Sequence, residues 1–125
     1  MAESSKPYHM FLELKHQKLD VFQFSRSFVG ECYRLIKELP AEERYNLVSQ
    51  IRRAALSVYL NIAEGASRKS SVERKRFYEV ARGSVIEIDA ALDVVADMGY
   101  VKKEKMEQLG FVMIKCFKIL SGLIN

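Results

Sequence analysis

Hydrophobic residues recur at spacings of three and four along most of the chain, which is the period of an amphipathic helix rather than of a strand. In the first such segment, Val21, Phe24 and Phe28 form one apolar stripe, and Phe22 and Val29 lie on a second stripe beside it. The pattern predicts an all-α protein with four helices, joined by short connections that favour an antiparallel up-down bundle. The helices are expected at about 17–38, 42–64, 71–98 and 103–123.

Residues that favour helix ends separate these segments. Pro40 stops the first helix, because its ring fixes φ and removes a backbone donor. Gly65 is expected to end the second helix in the left-handed conformation, and the third helix is expected to end near Met98, with Gly99 at its C-cap. Ser70 or Ser71 is expected to cap the start of the third helix, and Ser70 with Glu73 matches a reciprocal capping box, in which each side chain accepts a hydrogen bond from the backbone of the other residue.

Length and composition indicate a single domain. With 125 residues, of which 49% are hydrophobic and 29% charged, the chain is large enough for one core. Residues 1–13 show weak periodicity and are expected to form a flexible arm, with the four-helix bundle domain spanning 14–125. No apolar run reaches the ~18 residues of a membrane-spanning helix, and the N-terminus lacks the pattern of a signal peptide. We therefore expect a cytoplasmic protein that does not bind membranes.

The apolar surface of the first and fourth helices is wider than one bundle core requires. Five aromatic residues on these helices cannot all point to one bundle axis, and large exposed aromatic patches mark interfaces. These residues are therefore predicted to contact neighbouring subunits in a homo-oligomer. They are Phe22, Phe24, Phe28, Phe111 and Phe117. The alternative is a wide core in which both stripes of each helix are internal.

Positive charge is concentrated in the middle of the chain. The net charge is +4, yet segment 44–82 holds nine basic and only three acidic residues, a surplus that favours polyanionic partners. Bases beside the start of the third helix also lie close to backbone amides that favour anions. The residues predicted to contact RNA or DNA are Arg44, Arg52, Arg68, Lys69, Arg74, Lys75, Arg76 and Arg82. The alternative is an ordinary solvated surface.

Side chains that could support catalysis or hold a metal ion are sparse in the sequence. The two histidines, His9 and His16, lie at or near the arm, and neither Cys32 nor Cys116 has a second ligand at metal-binding spacing. Both cysteines are predicted to be buried core residues. Three aspartates share one face of the third helix and are expected to face solvent: Asp89, Asp93 and Asp97. We therefore expect no enzymatic activity, no metal and no cofactor.

Polar side chains on the second and third helices are predicted to form a structural network. Packing the two helices antiparallel about the connection 66–70 would place Arg53 level with Ser84 and near Glu87, giving a partly buried ion pair that fixes register. Asn61 and Glu64 are expected to satisfy backbone groups of the connection, or alternatively to form a small polar binding site. The full set is Gln50, Arg53, Asn61, Glu64, Ser84 and Glu87.

Three segments of the chain match the pattern of a known family. They are LDVFQFS, ELPAEERYNLVSQIRRAALSVYLNIAEGASR and ERKRFYEVARGSVIE. In these segments, and over about Leu19–Ile124, the chain resembles the four-helix bundle proteins encoded in intervening sequences of bacterial 23S ribosomal RNA genes. Two positions depart from the family pattern, since Phe22 stands where Trp is frequent and Tyr59 where Pro is frequent.

The resemblance implies an all-α bundle that assembles into ring-like homo-oligomers, most often pentamers. The family is similar to the accessory protein of diversity-generating retroelements, a basic pentameric barrel associated with a reverse transcriptase and with nucleic acid. The leading hypothesis is therefore a non-catalytic oligomer that binds nucleic acid, above all RNA, through the basic surface of the second and third helices. The alternatives are a protein-interaction scaffold that does not bind nucleic acid and a helical enzyme that uses Arg53, Asn61 and Glu64.

Overall fold

The chain folds into four α-helices, as seen in a computed structural model that describes residues 11–14 and 19–125. The four helices are α1 (Asp20–Ile36), α2 (Leu47–Ala66), α3 (Ser71–Asp97) and α4 (Glu107–Ile124). Short 3₁₀ turns at Ala41–Glu43 and Lys103–Met106 precede α2 and α4. No strand occurs within these described residues. The predicted all-α class and the number of helices are confirmed.

Two of the predicted helix ends are confirmed. The Ser70 hydroxyl accepts a hydrogen bond of 3.0 Å from the Glu73 amide, which satisfies one of the free donors at the start of α3. Gly99 follows α3 with a φ of +71°, a conformation that costs glycine little. The start of α3 and the turn that follows its end therefore lie at the residues that the sequence pattern marked.

The prediction for Gly65 is wrong. This residue lies inside α2, which continues to Ala66 and ends at Ser67 in a right-handed conformation with φ of −83°. Gly65 is buried against α3, and a Cβ atom placed on it would lie 2.9 Å from Cε1 of Tyr78 and 3.0 Å from Cβ of Phe77. Glycine is used here because α3 packs against the backbone of α2, and not because the chain turns.

The core is built from one broad face of each helix. Among the fully buried side chains are Phe28, Ile62, Ile88 and Leu120, one from each of α1, α2, α3 and α4. α1 packs against both α2 and α4, and α3 also packs against both, with the most extensive packing between α2 and α3. A helix with neighbours on two sides buries two adjoining stripes, which explains the wide apolar surface of α1.

This arrangement corrects the predicted interface on α1. Phe22 and Phe28 are fully buried in the core of a single chain, with the Phe22 ring edge-on to Tyr59 at 5.9 Å, and Phe24 packs half-buried against the same core. The alternative of a wide core is therefore right for α1. On α4, by contrast, Phe111 is 54% exposed and Phe117 is 37% exposed, so the part of the prediction that concerns α4 stays open.

The two cysteines are core residues, as predicted. Cys32 on α1 and Cys116 on α4 are both buried and both carry free thiols. Burial away from water disfavours the thiolate and raises the pKa of each thiol to about 12. Since the thiolate is the reactive form, both side chains are chemically inert in the folded chain.

The predicted N-terminal arm, residues 1–13, lies outside the described residues except for 11–13, whose side chains are exposed. His9 and His16 also lie outside them. None of the helices described is both long enough and apolar enough to span a bilayer.

Candidate nucleic-acid interface

A dense group of basic residues surrounds the turn between α2 and α3, where segment 64–76 contains five basic and two acidic residues. The two helices are fixed to each other next to this turn. Gly65 lies against Tyr78, and further along, the Ser84 hydroxyl donates to Ser57 Oγ at 2.9 Å. The turn therefore sits on the most extensively packed pair of helices in the structure.

Arg74 holds the backbone of the turn. Its Nη1 donates to the carbonyl oxygens of Arg68 at 3.0 Å and Lys69 at 2.8 Å. These carbonyls follow the end of α2 and are not bonded by helical amides, so the guanidinium takes the place of the missing donors. The Arg74 side chain thus has a structural role in holding the turn. The sequence analysis missed this role because the pattern of basic residues does not distinguish Arg74 from Lys75.

The Arg68 side chain also contacts other residues of the chain. Its guanidinium forms an ion pair with Glu64 on the preceding turn of α2 and lies 5.0 Å from the centre of the Phe77 ring. The Nε atom is buried without a hydrogen-bond partner, while the side chain as a whole remains 40% exposed. Arg68 therefore contributes a positive charge that Glu64 partly neutralises.

Three further cations lie at this end of the helix pair, with Lys69 in the turn itself and Lys75 and Arg76 in the first two turns of α3. Lys69, Lys75 and Arg76 are exposed, and none of their side chains has a hydrogen bond or ion pair within the part of the chain that the structure describes. Lys75 also borders a depression of about 380 Å³ whose floor includes Leu19 and Leu123. A turn held by Arg74, with three unpaired cations around it and an apolar hollow beside it, is a suitable surface for a phosphate backbone.

The other predicted contacts lie elsewhere. Arg44 and Arg52 are exposed near the start of α2, about 20 Å or more from its far end because an α-helix rises ~1.5 Å per residue. Arg82 points to α4, where it donates to Ser121 Oγ at 3.1 Å and lies 5.9 Å from the Phe117 ring. The structure therefore brings together five of the eight predicted residues and separates these three from them.

Comparison with known proteins places this geometry in context. The model of the 23S rRNA-intervening sequence protein family matches residues 17–122. The chain belongs to this family. The search of curated proteins found no similar sequence.

One protein of known structure has a similar fold. It is a protein of unknown function from the S23 ribosomal protein family of Bacteroides thetaiotaomicron, with a TM-score of 0.77 and 23% sequence identity. The match covers 84% of this chain and 98% of that protein. At this identity the likeness establishes the shared helical fold.

In the present chain, the polar contacts between α2 and α3 differ from the predicted network. The observed contacts join Ser84 to Ser57, whose hydroxyl and carbonyl oxygens accept hydrogen bonds of 3.1 and 2.8 Å from Asn61 Nδ2. Arg53 and Glu87 are exposed, and no hydrogen bond or ion pair joins them in the described chain. The residue level with Ser84 is Ser57 and not Arg53, so the predicted register was wrong by about one helical turn. The reason is that α2 does not end at Gly65 but continues past it.

The other polar residues singled out in the sequence lie on the surface of the structure. Gln50 is exposed, and Glu64 pairs with the Arg68 side chain and not with the backbone of the turn. The three aspartates of α3 are exposed, as expected for a solvated face. Within residues 11–14 and 19–125, no three His, Cys, Asp or Glu side chains are grouped closely enough to hold a metal ion.

The role of Arg74 gives a first testable prediction. Replacing Arg74 with Gln removes both hydrogen bonds to the turn and should lower the free energy of unfolding by about 1 kcal/mol, since the site is partly exposed. The matched control is Lys75→Gln, which removes the neighbouring charge without any observed hydrogen bond and should change stability little. Urea denaturation of both variants checks this, and equal stabilities would contradict the assigned role.

Proposed function

We propose that this protein is a non-catalytic, cytoplasmic RNA-binding protein that binds the phosphate backbone through basic residues around the turn between α2 and α3. The observation that carries the proposal is the set of three exposed cations, Lys69, Lys75 and Arg76, around a turn in which Arg74 already bonds two backbone carbonyls. Phosphate contacts of this kind position a nucleic acid without reading its sequence. Membership of the 23S rRNA-intervening sequence family favours RNA over DNA.

We further propose that the helices form an antiparallel up-down bundle. The contacts that support it pair residues in opposite order along neighbouring helices. Gly65 meets Tyr78 while the earlier Ser57 meets the later Ser84, and Arg82 on α3 bonds Ser121 near the end of α4. Short connections between consecutive helices agree with this topology.

The proposed active form is a ring-like homo-oligomer, with a pentamer as the expected size. The resemblance described above supplies that expectation, and the exposed apolar residues of α4, including Phe111 and Phe117, support an interface. A ring would repeat the basic turn in every subunit. Weak phosphate contacts on one turn would then combine, because the second contact is made at high effective concentration.

The test is RNA binding measured across a salt series, from about 50 to about 200 mM, with a single-stranded RNA of unrelated sequence. If Lys69, Lys75 and Arg76 each contact one phosphate, each engaged subunit should contribute about −2 to the slope of log K against log salt. Fluorescence anisotropy gives this slope directly. Absence of binding at low salt, or an affinity indifferent to salt, would reject the proposal.

A second candidate function is a protein-interaction scaffold that binds no nucleic acid. It is favoured by the exposed apolar side chains Ile86 on α3 and Ile114 on α4, which a chain acting only through its basic turn does not need. The salt series separates the two candidates, since a scaffold should leave the RNA free at every salt concentration.

A further inference from the structure

The outer face of α2 carries an apolar ridge that the described residues leave uncovered. Leu56 and Leu60 lie one turn apart on this face and are 41% and 58% exposed. Arg52 and Arg53 lie on the turn before Leu56 and are also exposed. Neither arginine side chain has a hydrogen bond or ion pair within the described residues. The ridge therefore joins two leucines to two unneutralised positive charges.

A second apolar surface is a groove between α3 and α4. It has a volume of about 280 Å³ and is lined by Ile86, Ile114 and Phe117, of which the two isoleucines are more than half exposed. Asp89 forms part of its wall, and Asp93 lies one turn further along α3. In the described chain, both carboxylates are exposed and lack a hydrogen bond or ion pair. The side of the groove formed by α3 therefore places unneutralised negative charges beside an apolar floor, while Lys118 lines the side formed by α4.

We propose that the ridge on α2 of one copy packs into the groove between α3 and α4 of the next copy. This inference rests on the ring-forming part of the proposed function, and it identifies the two surfaces that build the ring. The occupant of the groove is a second copy of this chain, because the ridge supplies both a convex apolar surface and charges opposite to those on the α3 side of the groove. Arg52 and Arg53 would then face Asp89 and Asp93 across the interface.

The same features argue against a symmetric dimer through either surface. Two ridges placed face to face would bring four arginines together without an acidic partner on that face, and like charges in contact oppose association. Two grooves are both concave and would leave their hollows unfilled. Pairing unlike surfaces is heterologous, and such contacts produce a ring when the rotation closes.

Charge reversal tests the pairing. A ridge variant carries Arg52→Asp and Arg53→Asp, and a groove variant carries Asp89→Arg and Asp93→Arg. Each brings like charges together at every interface and should weaken assembly at least about tenfold, measured by analytical ultracentrifugation of the full chain. Placing all four changes on one chain restores opposite charges and should restore assembly. The matched control reverses Lys102 and Lys103 to Asp, which lie on neither surface, and should assemble like the wild type.

The outcomes separate this inference from the proposed function. Wild-type assembly that survives in both the ridge and the groove variants would overturn the pairing while leaving the ring intact. Failure of the fourfold variant to assemble, with its helical circular dichroism and melting curve unchanged, would overturn it as well. A wild-type protein that sediments as a monomer would overturn both the pairing and the ring. Co-purification of differently tagged ridge and groove variants, each unable to assemble alone, would support the pairing.

Discussion

Replacing Lys69, Lys75 and Arg76 together with glutamine should lower the affinity for RNA at least about tenfold at low salt. The three side chains are exposed and unpaired in the described structure, so their charges are available to phosphates and their loss leaves the fold intact. Three fewer phosphate contacts per subunit should also reduce the slope of log K against log salt by about 2 for each engaged subunit. Anisotropy titrations of wild type and variant at matched salt concentrations measure both effects.

The chain offers a control with the same change in net charge. Arg44, Lys102 and Lys103 are exposed at the opposite end of the helices, near the hydrogen bond of 2.8 Å from the Tyr100 hydroxyl to Glu43. Replacing these three with glutamine should leave RNA affinity within about twofold of wild type if binding is localised at the turn. Equal losses in the two variants would mean that overall charge, and not the turn, governs binding.

Replacing Gly65 with alanine should lower the free energy of unfolding by about 1–2 kcal/mol. In an open helix this change is favourable, because alanine loses less backbone freedom on folding. Here the new methyl group would lie 2.9 Å from the ring of Tyr78 and 3.0 Å from Cβ of Phe77, closer than carbon atoms pack. Tyr78 is itself buried, so its ring cannot move aside without disturbing the core.

Gly83→Ala is the matched control for this prediction. Gly83 also lies within a helix, but a Cβ atom added there meets nothing within 4 Å. The substitution should raise the free energy of unfolding by roughly 0.5–1 kcal/mol, through helix propensity alone. Urea melts of the two variants should therefore shift in opposite directions. A Gly65→Ala protein as stable as wild type would mean that α2 and α3 can separate at this point without cost.

The sequence pattern identified the helices because their boundaries depend on local signals. Apolar spacing placed all four, and Ser70 and Gly99 marked ends that depend only on nearby atoms. The buried positions of Cys32 and Cys116 followed from the same periodicity. Local chemistry of this kind is fully contained in a few consecutive residues.

The errors arose where the answer depended on a neighbouring helix. Gly65 serves a close approach of α3, and Phe22 is buried because α1 has neighbours on two sides. The basic turn was predicted as a set of equal charges, yet Arg74 is engaged with the backbone while Lys75 beside it is not. Composition alone cannot separate a structural cation from a displayed one, since both are arginines or lysines in the same segment.

The clamp formed by Arg74 also bears on the entropy of ligand association. Because the carbonyls at 68 and 69 are already held by its guanidinium, the connection between the helices has lost its conformational freedom during folding. A polyanion that docks there would need to immobilise only long side chains, at about 0.5–1.5 kcal/mol each, and not the main chain beneath them. Preorganisation of the platform would thus let modest individual contacts yield useful net affinity.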